Sequence, residues 1–160
     1  MAQVDFFLKI DSIDGESVVK GLEKWIEVQS FSWGMSQSGG AGGGGAGKVV
    51  VQDFHFVART GLQSPLLLTA TGTGQHFKKA TLSVREAGGD RQLEYIKVNL
   101  TDVLVSSYQV GGTDAGEDNR PSDQISLTFQ RVEMDVSAQG ADGTLKTTHG
   151  SWDLKTNSKA

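Results

Sequence analysis

The chain contains no cysteine. That excludes disulfides, thiol chemistry and thiolate metal sites, and it leaves the redox compartment unreadable. It has no apolar run near the ~20 residues of a membrane-spanning helix. It has no basic leader either: residues 1–14 read MAQVDFFLKIDSID, and FFL is too short for a signal-peptide core. The general secretory route is therefore not expected, and a dedicated export machine that uses no cleaved leader stays open. Positive charge is not in excess. The net charge is −4, whereas a nucleic-acid binder usually shows a basic face. Proline is scarce, at 2 residues.

What the chain has in quantity is glycine, 21 residues in 160, well above the usual share of about 7%. Many glycines with few prolines suit tight turns and bulges in a β protein better than a disordered tail. A chain of 160 residues fits one domain, expected over 1–160, and needs no covalent staples.

Hydrophobic alternation carries the strand assignment. Val4, Phe6, Leu8 and Ile10 share one side of residues 3–10, the signal of a half-buried strand. Residues 25–33 (WIEVQSFSW) and 49–59 (VVVQDFHFVAR) are rich in β-branched and aromatic types and predict two more strands. Between them lies a glycine-rich stretch, so 25–59 predicts a hairpin with a long tip at 34–48. Strands are further predicted over 78–86 and 93–110, the latter with a possible bend, and Trp152 and Leu154 mark a last one. A single short helix is expected after Ser64, with Ser64 as cap, Pro65 in the first helical position and Gly72 or Gly74 ending it. Within 122–139, Ile125, Leu127 and Phe129 share one phase, and Val132, Met134 and Val136 share the other. A period of two cannot change phase without an extra residue or bend near Gln130–Arg131. Such corners let a strand pass between sheets and close a barrel. The fold class is thus mainly β: a closed barrel or two packed sheets, one short flanking helix and a long extended hairpin loop.

Several motifs tempt a catalytic reading, and each lacks a necessary part. Gly42, Gly47 and Lys48 match most of a phosphate-binding loop, but Val49 stands where a Mg²⁺-holding hydroxyl is needed, and a strand pattern follows instead of a helix. Gly34–Ser38 half-resembles a nucleophile elbow without its final glycine. His55, His76 and His149 are scattered. Asp53 and His55 are expected on one polar strand face. Asp114, Glu117, Asp118 and Asp123 crowd one stretch without calcium-loop spacing and predict a solvated acidic loop. No catalytic residue, metal or cofactor is expected, and the chain is not read as an enzyme. The loop at 34–48 is longer than most in compact domains, and such loops are usually functional or disordered. Trp33 and Met35 at its base suit contact with a partner. From the residues alone, a self-assembling subunit and a carbohydrate- or small-ligand-binding β-barrel stand near parity.

The run FSWGMSQSGGAGGGGAGKVVVQDFHF (31–56) resembles the tube protein of bacterial type VI secretion systems, the haemolysin-coregulated protein (Hcp) family. So do REAGGDRQLEYIKVNLTDVLVSSYQVGG (85–112), EDNRPSDQISLTFQRVEMDV (117–136) and the opening DFFLKIDSIDGES (5–17). The likeness covers nearly the whole chain, in the family's order. It implies a β-barrel with a flanking helix. It implies a homohexamer whose rings stack into a tube inside a contractile sheath, tipped by a spike protein and fired from a Gram-negative cell. The lumen of such rings holds small effector proteins in some relatives. The implied localisation is a cytoplasmic pool secreted to the extracellular space or a target cell without a cleaved signal peptide. Neither nucleic-acid binding nor membrane insertion is implied. Ending at Ala160, the chain is expected to lack the C-terminal toxin domain that some relatives carry.

The resemblance also assigns roles. The hairpin 25–56 would reach a neighbouring subunit or ring, with Trp33, Met35, Gly39, Gly43, Gly47 and Lys48 as its assembly loop. Alternation places Ser30 and Ser32 opposite Phe31 and Trp33. The two serines either face cargo in the lumen or are merely solvated hydroxyls. Asp114, Glu117 and Asp118 in the polar loop 111–123 are the candidates for stacking contacts.

Overall fold

The computed structural model describes residues 3–37, 49–88, 91–114, 116 and 119–160. In chain order the elements are β1 (Gln3–Ile10), β2 (Ile26–Ser32), β3 (Met35–Gln37), β4 (Val49–Val51), β5 (Phe54–Arg59), α1 (Ser64–Thr73), β6 (His76–Gly88), β7 (Arg91–Gly111), β8 (Ser122–Thr128), β9 (Arg131–Gln139) and β10 (Leu145–Asp153). All the pairings are antiparallel. The main sheet runs β10-β9-β7-β6-β1-β2-β5-β8, and β8 also pairs with β7. That last pairing closes β7, β6, β1, β2, β5 and β8 into a six-stranded barrel, leaving β9 and β10 as an extension of its wall. A second sheet of two strands, β3 and β4, stands apart from it.

Inward residues fill the barrel. Leu8, Ile10, Phe54, Phe56, Leu82 and Leu127 are completely or almost completely buried, each contributing roughly 1.5–3 kcal/mol of transfer free energy. Phe31 stacks on Phe54 with centroids 6.1 Å apart and receives the edge of Phe6 at 5.0 Å. In β1 the alternation holds, but burial fades toward one end: Val4 is exposed where Ile10 is sealed. Phe7, on the opposite side of β1, is buried as well.

The phase change within 122–139 is a real corner. β8 pairs with β7 from Gly111↔Ser122 to Leu104↔Thr128, and β9 resumes along the same edge from Thr101↔Arg131 to Ile96↔Val136. The intervening Gln130 is pinned, its N–H donating to Thr101 O (3.0 Å) and its carbonyl accepting from Leu154 N (2.7 Å). On the other edge of this broken strand, β5 covers β8 and β10 covers β9. The break therefore separates the barrel from its extension.

Three local expectations are corrected. Ser64 is the first residue of α1 and not its cap. Gln63 occupies the cap position without a side-chain capping bond, and Pro65 is the second helical residue. The reason is that the Ser64 hydroxyl is turned away from the helix, accepting from Gly61 N and donating to Asp123. Gly72 lies within the helix, and Gly74, at φ 69°, ends it. Residues 49–59 form two strands, because the chain leaves the ladder at Gln52 and Asp53. Residues 34–48 are not all loop, since Met35–Gln37 pairs with Val49–Val51.

Candidate functional site

The arm formed by β3 and β4 begins at Gly34, whose carbonyl accepts from Gln52 N at 2.8 Å. Its rungs are Met35↔Val51, Ser36↔Val50 and Gln37↔Val49. Trp33 anchors its base, meeting Phe129 edge-on at 6.5 Å and packing on the core together with Val51. Met35 and Val50 are exposed, at 43% and 55%. Of the two aromatic or sulfur side chains expected at this base, Trp33 is half-buried against the barrel and Met35 faces solvent. Gly39, Gly43, Gly47 and Lys48, expected in the assembly loop, lie outside the described residues, and Val49 opens a strand. An isolated pair of strands gains little stability alone, and this one spends two apolar side chains on solvent.

Ser30 and Ser32 are both exposed, while Phe31 and Trp33 turn inward. A register shift between Val28 and Ser30 resets the alternation, so that Ile26 and Val28 face the core before it and Phe31 after it. Asp53 and His55 flank the buried Phe54, but only His55 lies on the strand. Asp53 precedes β5 and accepts from Ser106 Oγ (3.0 Å), and His55 Nδ1 lies 3.2 Å from Ser126 Oγ.

The acidic stretch is also divided. Asp114 is exposed, and Glu117 and Asp118 lie outside the described residues. Asp123 is not part of a solvated loop but is completely buried in β8. It accepts from Thr60 Oγ1 (2.8 Å), Tyr108 OH (3.0 Å) and Ser64 Oγ. Three hydroxyl donors satisfy the oxygens of this buried side chain. Burial, followed by the bond to Asp123, raises the Tyr108 phenol above its ordinary pKa. This cluster ties β8, β7 and the start of α1 together. The sequence held a signal for it, because Asp123 shares the phase of Ile125 and Leu127.

Two histidine–aspartate pairs lie at the surface: His76 Nδ1 to Asp102 at 3.0 Å and His149 Nδ1 to Asp135 at 2.5 Å. No third His, Asp or Glu joins either to make a metal-sized group among the described residues. No helix among them is long and apolar enough to cross a membrane. The geometry thus offers surfaces for contact: an arm with Met35 and Val50 exposed, a polar serine face and a strand edge.

Residues 7–136 match the family model described as type VI secretion system effector, Hcp. The chain belongs to the Hcp family. Hcp proteins are secreted type VI components that serve as tube proteins, and theirs is not an enzyme family. Over 143 residues the chain is 41% identical to protein hcp1 of Pseudomonas aeruginosa, covering 88% of this chain and 87% of that one. Among solved structures, Hcp1 from Salmonella typhimurium is 32% identical with a TM-score of 0.84, each chain covered in full. A structure of a type six secretion system protein is 29% identical, with a TM-score of 0.89 over 99% of this chain and 100% of that one.

Proposed function

We propose that this chain is the structural subunit of a type VI secretion tube. Six copies close into a ring, and rings stack into a tube that lies inside the contractile sheath, carries the spike at its tip and holds small effectors in its lumen. The observation that carries the reading is the arm of β3 and β4, which leaves Met35 and Val50 exposed among the described residues. Another subunit would cover them. Ser30 and Ser32 are the lumen-facing hydroxyls in this reading. Gly39, Gly43, Gly47 and Lys48 are the assembly residues that meet the neighbouring ring or subunit in this reading, and Asp114, Glu117 and Asp118 add stacking contacts. The subunit passes from a cytoplasmic pool to the extracellular space or a target cell.

The alternative, a ligand-binding barrel, has less support. A binding barrel keeps room inside for its ligand, whereas here Phe54, Phe56 and Leu82 occupy the interior. Solution mass and electron microscopy of the purified chain test the proposal: rings of six are expected. A protein that stays monomeric at tens of micromolar under every salt condition would overturn it. Replacing Gly39–Gly47 by a two-residue turn should leave the barrel folded and weaken ring stacking. Unchanged tube formation and export would remove the loop from the assembly.

A further inference from the structure

β7 outruns one of its neighbours. β6 joins it at His76↔Leu104 and follows it from there back to Arg91. From Val105 to Gly111, β7 keeps β8 on one side. On the other side no strand among the described residues pairs with it there. An open strand edge invites pairing with another chain unless it is short, charged, interrupted by proline or covered. This one has none of the first three protections. Residues 103–110 read VLVSSYQV, without charge, proline or glycine. Uncharged runs of that length and high β-propensity are the usual seeds of cross-β association. β10, at the end of the sheet, differs, since it carries Lys146 and ends in Asp153.

Cover comes from α1, which packs on β7. Its two ends are tied to the two ends of the open stretch. At its C-terminal end the chain turns at Gly74 and enters β6 at His76, opposite Leu104. At its N-terminal end Ser64 Oγ donates to Asp123, which also accepts from Tyr108 OH. At about 1.5 Å per residue the ten-residue helix spans about 15 Å. At about 3.3 Å per residue, β7 covers a like distance between Leu104 and Tyr108. The helix thus runs beside β7 in the place that β6 leaves empty, with Leu67 and Ala70 in the core.

α1 would not hold there by its own propensity. Its ten residues fall short of the ~12–15 that an isolated helix needs. It has no side-chain cap, no acid in its first turn and no base in its last. Gly72 lowers its propensity further. The hydroxyls of Thr69, Thr71 and Thr73 bond back to the carbonyls of Pro65, Leu67 and Thr69, which weakens a helix slightly. Leu66 and Leu68 are exposed and add little burial. What holds the helix is the burial of Leu67 and Ala70 and the bonds at its start, from Gln63 Nε2 to Arg59 O and from Ser64 Oγ to Asp123.

We infer that α1 is a guard over the β7 edge, latched by the Ser64–Asp123 hydrogen bond, and that its opening exposes residues 103–110 to cross-β aggregation. The device acts in the free subunit and is independent of the ring reading above. Elements with few buried contacts open ahead of global unfolding, and the latch sets how often this one does.

Ser64→Ala removes the latch and leaves Asp123 its bonds to Thr60 and Tyr108. Amide exchange across 64–73 should become about tenfold faster, the effect of one lost hydrogen bond. Thioflavin T fluorescence in dilute subunit should rise sooner than in the parent. Leu67→Val loosens the same helix from the core and should act in the same direction, so the test does not hang on one variant. Val132→Ala, in β9, lowers global stability without touching the latch. It should leave exchange across 64–73 at the parental rate, and at an equal unfolded fraction in urea it should not hasten the fluorescence rise. Gln109 is exposed, and Gln109→Lys puts a charge on the open stretch. Added to Ser64→Ala, it should return the fluorescence to the parental course while exchange across 64–73 stays fast. Parental exchange in Ser64→Ala would overturn the latch. Fast exchange without hastened fluorescence would overturn the guard. An equal rise in Val132→Ala, or a rise that Gln109→Lys leaves unchanged, would overturn it too.

Discussion

Asp123 is held by three hydroxyls where β8 meets the start of α1. Asp123→Ala should leave the Thr60, Ser64 and Tyr108 hydroxyls without their acceptor and cost roughly 3 kcal/mol or more, read as a lower urea midpoint. Asp123→Asn should cost less, because the amide oxygen still accepts. Tyr108 adds an alkaline component. Its pKa is raised in the folded chain, so its contribution is whole below the unfolded tyrosine value of about 10 and is lost as pH rises through the folded one. Urea titrations between about pH 8 and 11 should show this decline in the parent and not in Tyr108→Phe. Gly15 is constrained differently, since a Cβ there would lie 2.5 Å from Trp25 O and 2.7 Å from Ile26 Cα. Gly15→Ala should therefore destabilise by about 1–3 kcal/mol, also read as a fall in the urea midpoint. Asp123 was legible through its phase with Ile125 and Leu127. Its donors were not: Thr60 and Tyr108 lie 63 and 15 residues away, and only the fold brings them near.

At the scale of elements, the corner at Gln130 sets which face of β9 points inward. Deleting Gln130 should turn Arg131 and Glu133 toward the core in place of Val132, because a one-residue slip reverses every side chain. Faster hydrogen exchange confined to β9 and β10 should follow, with β1 and β6 keeping their protection. That corner was visible in the sequence, since period-two alternation is a local property. Burial along β9 was not. Val132 is sealed, but Met134 is 37% exposed, because the strand runs beyond the barrel's opposite wall. The start of α1 misled for a related reason. Ser64 has a capping side chain, but a buried carboxylate from a distant strand outcompetes the helix for it. The arm belongs to this scale too. Alternation located its two sides, but not the three rungs that make Met35–Gln37 a strand.

For the whole molecule, Lys48 leads into strand β4 and not into a helix, so the backbone after it offers no helix N-terminus to a phosphate. Mg-ATP should accordingly leave the melting temperature unchanged. A saturable rise would show binding to the folded state and revive a nucleotide site at residues 42–48. The sequence by itself determined the strand-rich class, the inward faces of most strands, the phase break near Gln130 and the family, because alternation and motif are carried by neighbours along the chain. The tertiary structure alone decided the closure of β8 onto β7 and the buried Asp123 cluster. Those depend on which distant strands meet, and on where they stop meeting, and no local periodicity encodes either.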